Sequence, residues 1–202
     1  PSFRKDVDFT LGTAPGAEQA YYDFKESFES YFRRMTGADA EGANHLITID
    51  VRESEAAELS DRFIPIRPAT DAALALAMMH VITGEELHDP EFVTKHTVGF
   101  EALVKHVRQY SPEWAEPITG IPAEEIRELA RRYAATKPAM IVLGGSSMFK
   151  SGNGWTASRA IACLPALVGQ LGVAGGGLGP RHRGSHHGEA LLDIRAKNHP
   201  PP

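Results

Sequence analysis

Two acids stand where an α/β protein does its binding. Asp50 closes the run His45-Leu-Ile-Thr-Ile-Asp50. Asp71 follows Ile66-Arg-Pro-Ala-Thr70 and precedes an almost wholly apolar stretch, Ala72 to Val81. An ionised carboxylate only accepts hydrogen bonds. At the end of a strand it suits a ribose hydroxyl, and it suits the N–H edge of a base equally well. Each acid also has a plainer role. Asp50 could pair with Arg52, and either Thr70 or Asp71 could cap the helix that follows. Spacing alone leaves both readings open.

The loop after Ala139-Met-Ile-Val-Leu143 is the next candidate. Gly144-Gly145-Ser146-Ser-Met-Phe-Lys150-Ser151 approaches the pattern of a phosphate loop. Phe149 occupies the place of its second glycine. Gly152-Asn153-Gly154 then delays the helix whose amides would hold phosphate. The stretch therefore reads as a polar ligand loop on a strand end, not a triphosphate cradle. Roughly a dozen of the 19 glycines fall between Gly144 and Gly188, so the backbone here can turn sharply or approach a ligand closely. Gly175-Gly-Gly177 with Leu178-Gly179 is either a flexible connector or such a close approach. His182, His186 and His187 lie among glycines that oppose a helix, and no cysteine or acid pattern completes a metal set. Met78, Met79 and Cys163 sit in apolar runs and read as core residues.

The elements that must position these groups follow from periodicity. Tyr21, Phe24, Phe28, Phe32 and Met35 mark an amphipathic helix. His45–Asp50 and Ala139–Leu143 are short apolar strands, and Arg62–Arg67 is an extended segment in which Pro65 points to an edge or a non-sheet position. Ser54–Leu59 makes a short helix. Ala72–Val81, ended by Gly84, is apolar on every side and belongs at the centre. Asp89-Pro90, Gly99, Ser111-Pro112 and Pro117 break residues 85–120 into helical pieces. Pro122 starts a further helix with Glu124 and Glu125 in its first turn, and Lys137-Pro138 closes it. This alternation predicts an α/β fold, a three-layer sandwich with a mostly parallel, Rossmann-like sheet and a helical insert at about 85–120. The domain runs over 45–179, after an N-terminal segment (1–44) and before a glycine-, histidine- and proline-rich tail (180–202).

Composition narrows the classes. With 202 residues, 42% hydrophobic and 23% charged, the chain can bury a core without staples. A net charge of −5 and the lack of a basic stripe exclude nucleic acid as the expected partner. The single cysteine excludes a disulfide framework within the chain. No run of 18 apolar residues spans a membrane. Pro1 and His199-Pro-Pro-Pro202 read as cut or processed ends, so the compartment stays unassigned.

Order and spacing then resemble one family. Ile49-Asp-Val-Arg52, Ile66-Arg-Pro-Ala-Thr-Asp-Ala-Ala-Leu74, Asp89-Pro-Glu-Phe-Val93, Ile118-Thr-Gly-Ile-Pro122 and Ala166-Leu-Val-Gly-Gln-Leu-Gly172 together resemble the molybdopterin oxidoreductases related to dimethyl sulfoxide reductase. The resemblance covers about His45 to Gly179. It implies an oxidoreductase domain that binds the guanosine end of a molybdopterin guanine dinucleotide carrying molybdenum or tungsten. Asp50, Arg52, Thr70, Asp71, Gly144, Gly145 and Ser146 would line that site, with Asp71 reading the guanine N–H groups. Val51 and Ala69 stand where the family has proline and glycine. The family's iron–sulfur cysteines and metal ligand have no counterpart in the chain. The resemblance therefore implies a non-catalytic segment. Its partners would be the remaining domains of a parent chain, together with electron-transfer subunits, and any iron–sulfur cluster would lie outside it. The alternative is a scaffold subunit of an electron-transfer complex that keeps the fold without the cofactor.

Overall fold

The computed structural model describes residues 45–58, 60–144 and 152–180. The helix expected over 16–35, Gly145, Ser146 and the histidine group lie outside the described residues. The chain divides into two compact units, one ending at Ile64 and the other beginning at Pro65.

In the first unit β1 (Ile47–Asp50), α1 (Glu55–Glu58) and β2 (Arg62–Pro65) follow one another. β1 and β2 form a two-stranded sheet. The Thr48 hydroxyl donates to Ala56 O at 3.1 Å and holds α1 to its strand. The Leu46 amide donates to the Asp61 carboxylate at 2.7 Å. β2 ends on Pro65, which has no N–H to offer a ladder.

The second unit is built around α2 (Asp71–Gly84), with α3 (Pro90–His96), α4 (Phe100–Val107), α5 (Pro112–Thr119), α6 (Ala123–Ala135), β3 (Met140–Leu143), α7 (Gly154–Leu167) and β4 (Gly177–Pro180) after it. Ala73, Leu74, Ala75, Ala77, Met78, Met79, Val81 and Ile82 of α2 are all buried. Such a helix needs neighbours on every side, and α2 has them in α4, α5, α6 and α7. The two methionines are core residues, as expected.

The helical insert begins its pieces where short polar residues and proline meet. Asp89 accepts from the Phe92 amide at 2.9 Å with Pro90 in the first helical turn, and Ser111 accepts from the Trp114 amide at 3.3 Å with Pro112 behind it. Gly99, at φ +82°, turns the chain into α4. Pro117 departs from expectation by lying inside α5 instead of ending it. The helix continues because its last turn is gripped from outside: the Arg67 guanidinium donates to Pro117 O and Ile118 O, and the Arg67 amide donates to Thr119 O at 2.9 Å.

β3 and β4 pair in parallel, Met140 opposite Gly177 and Leu143 opposite Pro180. The glycine-rich exit, read as connector or ligand approach, is thus partly a strand. Its register depends on Gln170, which is fully buried. The Gln170 side chain accepts from the Ala139 amide at 3.0 Å and donates to Thr136 O at 2.9 Å. The Gly177 amide completes the join by donating to Ala139 O at 3.1 Å. A Cβ at Gly176 would stand 2.7 Å from the Gln170 amide oxygen, so the chain passes there only as glycine. Nearby, Asp89 caps α3, meets Lys137 Nζ at 3.2 Å, and receives its neighbour so closely that a Cβ on Gly169 would lie 2.5 Å away.

Two predictions follow from this packing. Gln170→Leu keeps the volume but removes the partner of the Thr136 carbonyl and of the half-buried Ala139 amide, so it lowers unfolding free energy by about 1–2 kcal/mol in a urea titration. Acid sensitivity has a named source as well. Glu113 is held down to about 2 by its own backbone N–H, the Arg127 guanidinium and the Ser111 hydroxyl. A carboxylate depressed in the fold stabilises it above the unfolded value and loses that effect as pH falls through the folded one. Thermal stability therefore declines as pH is lowered from about 4.5 to about 2, and Glu113→Gln flattens that part of the profile.

Candidate functional site

The candidate site begins with the two longest helices of the second unit. At one end, the Asn153 side-chain amide donates to Ala69 O at 3.4 Å, joining the start of α7 to the turn before α2. At the other, the Asp89 amide, just beyond α2, donates to Leu167 O at 2.8 Å. α2 and α7 therefore run in the same direction with their N-termini together. Each helix start carries free backbone N–H groups and a partial positive charge. Neither is closed by its own cap residue: Thr70 and Asn153 hold the cap positions, and neither makes a side-chain cap hydrogen bond.

The sequence offered Thr70 or Asp71 as a cap, and the geometry shows why neither side chain acts as one. The Thr70 hydroxyl turns back to donate to Arg67 O at 2.7 Å, closing the Arg67–Thr70 turn on itself. Asp71 is the first residue of α2, half-buried, and among the described residues its carboxylate has no hydrogen-bond or ion-pair partner. An acceptor at a helix start is favoured electrostatically, and this one is left with its bonding capacity unused. The turn itself is fixed from below by Arg67. Gly120, packed beside the Arg67 guanidinium, ends α5 at φ +80°, a left-handed conformation that favours glycine.

Ala69 adopts φ +63°, the left-handed region. Glycine takes this conformation freely, and an alanine there carries strain. The turn is thus kept even though the residue is not glycine. Gly144 ends the β3 segment and is half-buried; Gly145 and Ser146 lie outside the described residues. Asp50 ends β1 in the first unit, where its carboxylate accepts from the Val51 amide at 2.7 Å, and Arg52 lies exposed just beyond it. The structure thus brings Thr70, Asp71 and the start of α7 together within one unit, while Asp50 and Arg52 stand on the other.

Two neighbours of the site escaped the sequence. Gly152-Asn153-Gly154 was legible as a delayed helix start, but not as a link to Ala69. Trp155, on the first turn of α7, is 66% exposed. Cys163 is half-buried and free, and burial pushes its thiol up, so it is poorly suited to act as a thiolate. Among the described residues no three His, Cys, Asp or Glu side chains gather as metal ligands, and no helix is long and apolar enough to cross a membrane. Ala69→Gly is expected to raise unfolding free energy by up to about 1 kcal/mol in denaturant titrations, because relief of the left-handed strain exceeds the added entropy of the unfolded chain.

Residues 26–198 match the family model described as molybdopterin oxidoreductase. The chain is 46% identical over 132 residues to the probable oxidoreductase YoaE of Bacillus subtilis (strain 168), covering 65% of this chain and 19% of that protein. It is 41% identical over 164 residues to dimethyl sulfoxide reductase DmsA of Haemophilus influenzae, covering 71% and 20%. Among solved structures it resembles acetylene hydratase from Pelobacter acetylenicus, with a TM-score of 0.61 and 39% identity over 65% of this chain and 18% of that one. The chain spans about a fifth of the length of the curated relatives it matches. The family match extends over most of the chain, through both helices whose starts form the site, and the chain belongs to the molybdopterin oxidoreductase family.

Proposed function

We propose that this chain binds the guanosine end of a molybdopterin guanine dinucleotide, as one segment of a molybdenum or tungsten oxidoreductase. The observation that carries the reading is the Asp71 carboxylate, half-buried at the joined starts of α2 and α7 and without a partner among the described residues. Guanine presents two adjacent N–H donors on one edge, and a carboxylate offers two acceptor oxygens to meet them. The open helix starts complement the negative charge of a nucleotide diphosphate. The donor set therefore fits the group. Thr70 adjoins Asp71 in the chain, and Gly144, Gly145 and Ser146 complete the proposed set of cofactor contacts. Asp50 and Arg52 offer an acceptor and a cation of their own at the end of β1.

When bound, the pterin and its metal supply the redox chemistry. This chain's residues bind and orient the nucleotide end. Its side chains include neither the family's iron–sulfur cysteines nor its metal ligand, so the 202 residues alone are inactive. The remaining parts of a longer protein and electron-transfer subunits would be the partners, and a net charge of −5 without a basic stripe disfavours nucleic acid. In the rival reading, a scaffold without cofactor, Ala69 would mark a decayed site. Ala69 nevertheless keeps the left-handed turn, so the substitution removes no geometry the site requires.

Calorimetric titration of the chain with guanosine diphosphate tests the proposal. Binding is expected, with adenosine diphosphate much weaker. Asp71→Asn replaces one acceptor oxygen by a donor and should weaken guanosine diphosphate about 10- to 100-fold, the loss expected for hydrogen bonds to a charged group. Equal binding by wild type and Asp71→Asn would sink the assignment. No binding by the folded wild-type chain would favour the scaffold.

A further inference from the structure

Trp155 is the second residue of α7 and two residues beyond Asn153, whose side chain reaches Ala69 O. It is 66% exposed, and among the described residues it makes no ring, hydrogen-bond or charge contact. The other tryptophan, Trp114, is half-buried and packs on Tyr110 at 4.7 Å. Exposure of a large indole costs hydrophobic free energy that burial would recover. Here the ring lies on the first turn of the helix whose start adjoins Thr70 and Asp71. A base held by its N–H edge leaves both flat faces unsatisfied, and an indole is the side chain best suited to cover one of them.

We propose that Trp155 is a binding residue for the purine: its indole stacks on the base whose edge Asp71 reads. The two side chains divide the recognition. Asp71 distinguishes guanine from adenine through donors on the edge. Trp155 adds affinity with little discrimination, because every base has a π face. The inference rests on the reading of Asp71 given above, and its test separates the two.

The experiment uses the full 202-residue chain with guanosine diphosphate as probe, followed by calorimetry and by tryptophan fluorescence. Trp155→Ala should bind about tenfold or more weakly, the loss typical of a missing base stack. Trp155→Phe should keep most of the affinity, since a ring remains. Wild type should show quenching on titration, and Trp155→Phe should lose that quenching although it still binds. Because Trp155 is exposed, both variants should melt like wild type, which separates lost stacking from lost folding. Wild-type affinity in Trp155→Ala, together with weakened binding in Asp71→Asn, would overturn the stacking role and leave the base acceptor standing. Absence of guanosine diphosphate binding in the folded wild-type chain would overturn both.

Discussion

Thr136 O and Ala139 N lie on either side of the turn that leads from α6 into β3, and one buried side chain satisfies them both. The Gln170 amide has a donor and an acceptor at fixed separation, so it can meet a carbonyl and an N–H only if the turn and the exit of α7 hold one relative position. Buried polar groups left unpaired are costly, which makes this arrangement close to all-or-none. The consequences spread outward. Gly177 reaches Ala139 O, and β4 falls into parallel register with β3. Asp89 and Lys137 reinforce the same corner, with Gly169 giving the carboxylate room.

That corner fixes the far end of α7, while Asn153 fixes the near end against Ala69. Between them, α2 supplies an apolar surface on every side. The shared direction of α2 and α7 is therefore a packing result, but it has an electrostatic consequence: two helix starts, neither closed by its cap side chain, open on the same end of the unit. Arg67 holds the intervening turn by its grip on the end of α5, and Ala69 bends into the left-handed region to let it close. Stability elements and site elements are thus the same residues seen from two ends of one helix pair.

Much of this was legible in the sequence, for local reasons. Asp89-Pro90 and Ser111-Pro112 are short-range signals whose hydrogen bonds reach three residues, and they mark helix starts in the structure. The uniform apolarity of Ala72–Val81 could only belong to a central helix. The misreadings share a different cause. Pro117 stays helical because Arg67, fifty residues earlier, secures the turn. Thr70 leaves its cap position unserved because Arg67 O competes for its hydroxyl. Glycines 175–179 read as a connector or a close ligand approach because the strand formed by Gly177–Pro180 depends on a partner far back in the chain. Trp155 carried no clear signal: an indole among Gly, Thr, Ser and Arg shows neither core nor site until its exposure is seen. Family resemblance singled out Asp71, and the structure adds a position that leaves its carboxylate without a partner among the described residues.

The most direct test of the account maps where a nucleotide touches the chain. Backbone amide spectra of the isotope-labelled chain, recorded with and without guanosine diphosphate, would report each N–H separately. The account predicts perturbations concentrated at Thr70, Asp71 and the Asn153–Gly154 start of α7, with the Gln170 corner unmoved. Saturable perturbations confined to other surfaces, with the starts of α2 and α7 unchanged, would contradict it.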